Sequence, residues 1–368
     1  MSNRVRGGPL AGLRVVEFAS IGPGPHGVML LSDLGAEVLR IDRPGGNGWP
    51  NPIVDRGRHT LEIDIRNEAG RASVLEIVDH ADVVIEGNRP GVMEGLSLGP
   101  SELLERNARL IYARITGWGQ TGPLANTAGH DINYIALTGA LAAITGTDGL
   151  PIPPLNLVGD FGGGSLYLVV GILAALWERE RSGKGQVVDA AIVDGVISMM
   201  TMFAGSAAPA NISLQPEKNL LGGRAPFYRC YECADGKYIS VGSLEPHFYA
   251  ELLSRIGAPN ELVSQRDPAD WPQVVTVLSR LFKQRTRDDW CELLQGSDAC
   301  FAPVLTYEES LQNPHLMERL AYIEAAGIQQ AAPSPRFSRT PASIGPSGDA
   351  TALIDRWRDS NNKKALVD

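Results

Sequence analysis

GLRVVEFASIGPGPHGVMLLSDLGAEVLRIDRP, residues 12–44, is the stretch whose reading decides the fold. GLRVVEFA (12–19) is a short apolar run of the kind that forms a strand buried on both faces. PHGVMLLSDLGA (25–36) then spaces its apolar residues as a helix does and stops at a glycine-containing turn. EVLRID (37–42) is a second strand. The alternation continues through HTLEIDI (59–65), a helix beginning near Asn67, DVVIEG (82–87), a helix near 100–108 and RLIYARITG (109–117). Strands that alternate with helices imply a parallel sheet covered by helices, here a Rossmann-like, doubly wound α/β domain.

Residues 118–164 are rich in glycine, proline and polar side chains, the composition of functional loops on such a scaffold. GDFGGGS (159–165) leads into an apolar helix (165–179) that ends at Gly183–Gly185, and QVVDAAIVDGVISMMTMF (186–203) reads as a second helix. Residues 204–226 read as a linker. PFYRCYEC (226–233) and GKYISVGS (236–243) flank an Ala-Asp-Gly turn as a hairpin, and helices fill 247–296. The expected layout is a large α/β domain (1–190), a helix and linker (191–226), a smaller α+β domain (227–302), and a return linker with the C-terminal part of the large domain (303–368). An extended stretch around PSPRFSRTPASIGPSG precedes a short final helix.

Hydrophobic residues make up 43% of the 368, enough for a sizeable core. Thirty-three Lys+Arg against 42 Asp+Glu give a net charge of −9, which argues against a nucleic-acid partner because such proteins present a broad basic face. An anionic ligand then requires a local basic patch. The apolar stretch SLYLVVGILAALW (165–177) is shorter than the about 20 residues that span a bilayer. The N-terminus shows no apolar signal region, and the C-terminal ALVD is no peroxisomal address. No membrane partner and a cytoplasmic location are the expectations. Cys230 and Cys233 form a Cys-x-x-Cys pair, but Cys291 and Cys300 are nine apart and no histidine cluster completes a metal set, so reduced thiols and no metal are expected.

GPGPHG (22–27) satisfies the Gly-x-Gly-x-x-Gly pattern after a strand, and Asp42 ends the next strand. A dinucleotide is disfavoured nonetheless, since Pro23 and Pro25 remove two of the N–H donors that a pyrophosphate needs. A tight strand-to-helix turn is the plainer reading.

From residue 12 onward the chain resembles the family III CoA-transferases. The resemblance is carried by residues 12–44, IEGNRPGV (85–92), ARITGWGQTGP (113–123), GHDINYIALTG (129–139), PPLNLVGDFGGGS (153–165), GKGQVVDAAIVDG (183–195), YECADGKYISVG (231–242) and PRFSRT (335–340). His130 in GHDINY and the wording around Asp160 look like the racemase branch of that family. The resemblance implies an interlocked homodimer acting on 2-methyl-branched acyl-CoA thioesters, with CoA as part of the substrate and no separate cofactor. It makes His130 and Asp160 alternate as base and acid at C2, through an enolate. It also makes Glu245 the carboxylate that pairs with the histidine across the dimer.

Read from residue chemistry alone, His130 is equally a structural histidine, Asp160 a helix N-cap and Glu245 an exposed loop glutamate. An unperturbed histidine titrates at about 6.5, which suits proton transfer near neutrality. The glycines and helix start beside Asp160 offer amide donors for an oxyanion. By family position Arg43 and Arg89 are the phosphate or adenine-site candidates. Ile63, Asp64, Ile65 and Arg66, then Gly87 and Asn88, then Gly129, Asp131, Ile132, Asn133 and Tyr134 match CoA-lining stretches. Gly95 departs from the family, which commonly carries an arginine there. Two other functions stay open: CoA transfer between carboxylic acids with Asp160 as nucleophile, and a CoA-ester-binding protein without turnover. Met199, Met200 and Met202 fit either an acyl surface or core packing.

Overall fold

The computed structural model describes residues 7–46, 48–146, 148–205 and 213–365, with side chains described as far as 359. Residues 206–212 of the expected linker, the first six residues and the last three residues of ALVD lie outside the described residues.

In chain order the first elements are β1 (Arg14–Phe18), α1 (Pro23–Asp33), β2 (Glu37–Asp42), β3 (Arg58–Glu62), α2 (Glu68–Val78) and β4 (Val83–Glu86). Then come α3 (Val92–Gly95), α4 (Pro100–Arg106), β5 (Ile111–Thr116), α5 (Asp131–Leu137) and α6 (Ala140–Ala143). A π-helical segment, Leu157–Leu166, runs directly into α7 (Tyr167–Ser182), followed by β6 (Gln186–Ala191) and α8 (Ile192–Met199). The chain forms two compact units, one of Met1–Thr138, Pro154–Met199 and Ile323–Asp368, the other of Gly139–Pro153 and Met200–Tyr322. The smaller unit therefore takes in a segment of the first half and extends past residue 302.

Six parallel strands build the larger unit in the order β3-β2-β1-β4-β5-β6. The order reverses between β1 and β4, the crevice where open α/β sheets bind ligands. Val16, Phe18, Leu39, Ile41, Val84 and Tyr112 pack on one face against α2 and the C-terminal helix Ala350–Ala365. Alternation turns Val15, Val38, Val83 and Ile111 to the opposite face, and all four are fully buried. The final helix is sixteen residues long rather than short, and the indole N–H of Trp357 donates to Glu37 at 2.7 Å.

Residues 186–203 are not one helix. Gln186–Ala191 pair with β5 in parallel register, Ile111 opposite Gln186, and the helix begins only at Ile192. The six residues QVVDAA are too few to show a period that separates strand from helix, and the edge of β5 makes the choice. The preceding helix is longer than expected. Leu157–Ser182 form 26 continuous residues, by length and composition enough to cross a bilayer, in contrast to the shorter stretch read from sequence. One side of α7 buries Leu168, Val169, Ile172 and Ala175 in the sheet layer. Its buried Arg179 donates to the carbonyl of Arg109 at 3.0 Å and pairs with Asp82 at 3.1 Å. These are the contacts of a helix laid on a sheet.

In the smaller unit, Tyr228–Glu232, Tyr238–Gly242 and Phe301–Val304 form an antiparallel three-stranded sheet. Phe227, Tyr231, Tyr249, Trp271, Phe282 and Trp290 fill its core. Cys233 belongs to that core, and burial pushes its thiol up to about 11, which makes it a poor nucleophile at neutral pH.

The π-helical segment and α8 meet backbone to backbone: a Cβ on Gly195 would stand 1.9 Å from the carbonyl oxygen of Gly163. Alanine is favoured over glycine inside a helix by about 1 kcal/mol, whereas overpacking a close contact costs about 1–3 kcal/mol. The collision is with backbone that has no rotamer to change. Gly195→Ala is therefore expected to destabilise the protein, read as a lower midpoint in urea unfolding. An unchanged or higher midpoint would contradict this packing.

Candidate active site

The carboxyl ends of all six strands open into one cleft of about 1400 Å³, lined entirely by the larger unit. Ser20, Ile21 and Gly22 after β1, Arg43 after β2, Ile63–Arg66 after β3, and Gly87–Arg89 after β4 form its rim. Ile115 and Thr116 at the end of β5, Gly117 and Trp118 after it, and Ile192 after β6 complete it, together with Gly129, His130, Asn133, Tyr134 and Asp160. His130 and Asp160 thus share one cavity although thirty positions apart in sequence.

His130 is exposed and stands at the start of α5, where its backbone N–H donates to Asn133 Oδ1 at 3.0 Å. The adjacent backbone is held by Tyr134, whose hydroxyl donates to the Gly129 carbonyl. Its ring occupies the space a Cβ on Gly117 would need, the nearest ring atom being 2.0 Å away. Trp118 meets that ring edge-on at 4.7 Å and donates its indole N–H to the Thr127 carbonyl at 3.1 Å. The two glycines of TGWG and AGHD are therefore slots for an aromatic side chain.

Asp160 is half-buried within the π-helical segment, not ahead of a helix as an N-cap. The segment starts after Asn156, and the Asp160 N–H donates to Asp131 Oδ1 at 2.7 Å. Asp131 accordingly caps the segment, with Gly159 N–H also bonded to the same carboxylate. The amides read from sequence as oxyanion donors are in part already occupied by Asp131. Burial pushes the Asp160 carboxyl above its ordinary range, and the neighbouring Asp131 charge pushes it further. Hydrogen bonding by Asn156 and the charge of His130 act against that rise without cancelling it. The carboxyl also lies against Gly22, where a Cβ would stand 3.2 Å from Oδ2.

The basic side chains at the rim differ in their ties. Arg43 donates its Nε–H to the Gly46 carbonyl at 2.8 Å, and Arg66 pairs with Asp64 at 2.8 Å while largely exposed. That pairing draws the Asp64 carboxyl below its ordinary range. The Gly87–Asn88–Arg89 turn is anchored from below: Asn88 N–H donates to Glu86 at 2.6 Å, and buried Arg114 joins Glu86 at 2.9 Å to Glu94 at 2.8 Å. Gly95 lines the same wall, with no atom within 4 Å of a Cβ placed on it.

Two expected lining residues are not brought to the cleft, and Glu245, expected from a second copy of the chain, belongs to the smaller unit. Asp131 turns toward the amides of the π-helical segment instead of the cavity, and Ile132 is exposed on α5 outside the lining. Glu245 precedes the helix Pro246–Arg255 of the smaller unit and is exposed. Sequence reasoning missed Gly22, Asn156 and Trp118. A signal existed for Asn156, a polar residue one helical turn before Asp160, but none for Gly22, whose role arises only from proximity.

The model of CoA-transferase family III matches residues 10–347. The α-methylacyl-CoA racemase of Mus musculus is 44% identical over 90% of this chain and 87% of its own. The acetyl-CoA:oxalate CoA-transferase of Acetobacter aceti is 30% identical, over 87% of each. Among solved structures, a CaiB/BaiF family protein from Brucella suis superposes with a TM-score of 0.78 at 28% identity, covering 96% of this chain and 100% of that one.

The coupling of the two carboxylates is open to test by Asp131→Asn, which keeps an oxygen to cap the segment but removes the charge. Loss of a like charge lowers a carboxyl pKa. The Asp160 titration, followed by carboxyl-carbon NMR, is expected to move to lower pH. A titration that stays in place would show that Asp131 exerts no such influence.

Proposed function

The chain belongs to CoA-transferase family III, and on that premise we propose that it epimerises C2 of 2-methyl-branched acyl-CoA thioesters. The observation that carries this reading is a histidine and a half-buried aspartate, His130 and Asp160, at the edge of one cleft. The 44% identity to a protein named α-methylacyl-CoA racemase supports it.

In this mechanism His130 removes the C2 proton from one face of the thioester, and the C–H electron pair moves into the carbonyl to give an enolate. Protonated Asp160 delivers its proton to the opposite face, leaving the other epimer, a carboxylate and an imidazolium. The reverse reaction exchanges the two roles. A carboxyl with a raised pKa is suited to the acid half of this cycle, because a larger share is protonated near neutrality. Arg43 and Arg89 attract the CoA phosphates, with Arg66 available once it exchanges Asp64 for an anion. No metal or nicotinamide is required.

Glu245 enters through a second copy of the chain, where it orients the His130 ring and favours its cation. Support for a dimer comes from α7, which is apolar on both sides. While one side is buried in the sheet layer, the other leaves Val170 62% and Trp177 70% exposed. An exposed apolar stripe of this kind marks an association surface. Val170→Asp is expected to shift the protein from dimer to monomer in analytical ultracentrifugation and to lower activity with it. A monomeric native protein, or a variant that stays dimeric, would remove this support.

CoA transfer is the second reading, because the relative from Acetobacter aceti is named a transferase and Asp160 is the carboxylate available as nucleophile. His130 favours epimerisation, since transfer through an acyl-aspartyl intermediate needs no second proton carrier. Incubation of one C2 epimer in deuterated water separates the two. Deuterium at C2 with formation of the other epimer is the expected result, and His130→Ala should lower the rate by about 10²–10⁴. Movement of CoA onto a free carboxylic acid without exchange at C2 would instead establish transfer. Tight binding with neither reaction would mark a binding protein.

A further inference from the structure

The turn GPGPHG, which imitates a dinucleotide motif, lies against the helical segment that carries Asp160. Gly22, with a positive φ of 71°, faces the Asp160 carboxylate, with 3.2 Å between Oδ2 and the position of a Cβ. Pro23 packs its Cβ 3.0 Å from the position of a Cβ on Gly164. Four residues after Gly22, His26 stacks on Phe161 with ring centroids 4.3 Å apart and planes 22° from parallel. The Nδ1 of the same imidazole shares a 2.7 Å hydrogen bond with the hydroxyl of buried Ser165. Gly27 completes the contact, since a Cβ there would stand 3.2 Å from Leu168 and 3.4 Å from Ser165. One face of the first turns of α1 therefore grips the segment beside Asp160 and again one turn later.

We propose that His26, acting with Ser165, is a positioning residue that holds the π-helical turn in register and so aims the Asp160 carboxyl at the substrate carbon. The physical argument is geometric. A π-helical winding is rarely stable by itself and is kept where surrounding contacts impose it. Residues 161 and 165 lie on the same side of such a turn, and a single side chain binds both. Loss of that tie lets the turn relax toward the tighter α winding, which rotates residue 160 away from its present direction. His26 touches no reacting atom in this scheme. Burial and the charge of Arg56 hold its imidazole below the ordinary range, which favours the neutral ring in the hydrogen bond to Ser165.

This inference rests on the epimerase reading, in which His130 and Asp160 serve opposite faces of C2. That division supplies a readout that a general loss of structure would not reproduce. Each C2 epimer of a 2-methylacyl-CoA thioester is incubated in deuterated water with the full-length wild-type chain, with Ser165→Ala, with His26→Leu and with His26→Gln. Asp160→Asn serves as the reference for which epimer depends on the aspartate. In Ser165→Ala and His26→Leu, exchange from the Asp160-dependent epimer is expected to fall by about 10- to 100-fold, the scale of a misaimed group. Exchange from the epimer served by His130 should stay within about twofold, and KM should hold. His26→Gln, which retains a hydrogen-bonding end, is expected to recover part of the loss. Equal loss from both epimers, or no loss from either, would overturn the positioning role. A wild-type chain that exchanges neither epimer overturns the epimerase reading itself, and that result is read before any variant is made.

Discussion

A carboxylate held half out of water needs neighbouring backbone that approaches it closely, and glycines permit that approach here. The segment bearing Asp160 is pressed between α1 and α8. Its Gly163 lies against Gly195, its Gly164 against Pro23, and its Gly159 against the capping Asp131. A side chain at any of these contacts would separate the layers and admit water to the carboxyl. The raised pKa of Asp160 follows from this close approach, because burial is its largest cause.

The sheet provides the remaining half of the site by a simpler route. Parallel strands all end on the same side, so the turns after β1 to β6 meet at one rim even though they are spread over most of the first two hundred residues. Charges under that rim are paired rather than left to the ligand. Glu17 with Arg58 and Glu86 with Arg114 are buried pairs. Breaking one partner of such a pair would strand a charge, which is why these ties hold the loops above them in place. The cations that face the cleft, Arg43, Arg66 and Arg89, are more exposed. A chain of net charge −9 can therefore attract an anion locally without presenting a basic surface.

Much of this was legible in the sequence. Residues 12–44 read directly as β1, α1 and β2, because long periodic segments bounded by glycine leave little choice. His130 and Asp160 stood out by their motifs, and both line the cleft. Residues 186–191 did not read correctly, since six residues show no period of their own and become a strand only when an open sheet edge lies beside them. Asp131 was read as a ligand contact and is a cap, because a carboxylate next to a cleft-lining residue can turn either way. The glycines of TGWG and AGHD gave no hint that they form the slot for Tyr134.

The sequence by itself determined the alternation of strand and helix, hence a parallel sheet with its loops on one side, and it determined which titratable residues were available to those loops. Local periodicity and turn chemistry suffice for that, since they act over neighbouring residues. Only the tertiary structure decided how those residues behave. The burial that raises the Asp160 pKa, the Asp131 charge beside it and the grip of His26 on Phe161 and Ser165 all join residues far apart in the chain. Desolvation and charge coupling depend on distance in space, a quantity that sequence spacing does not contain.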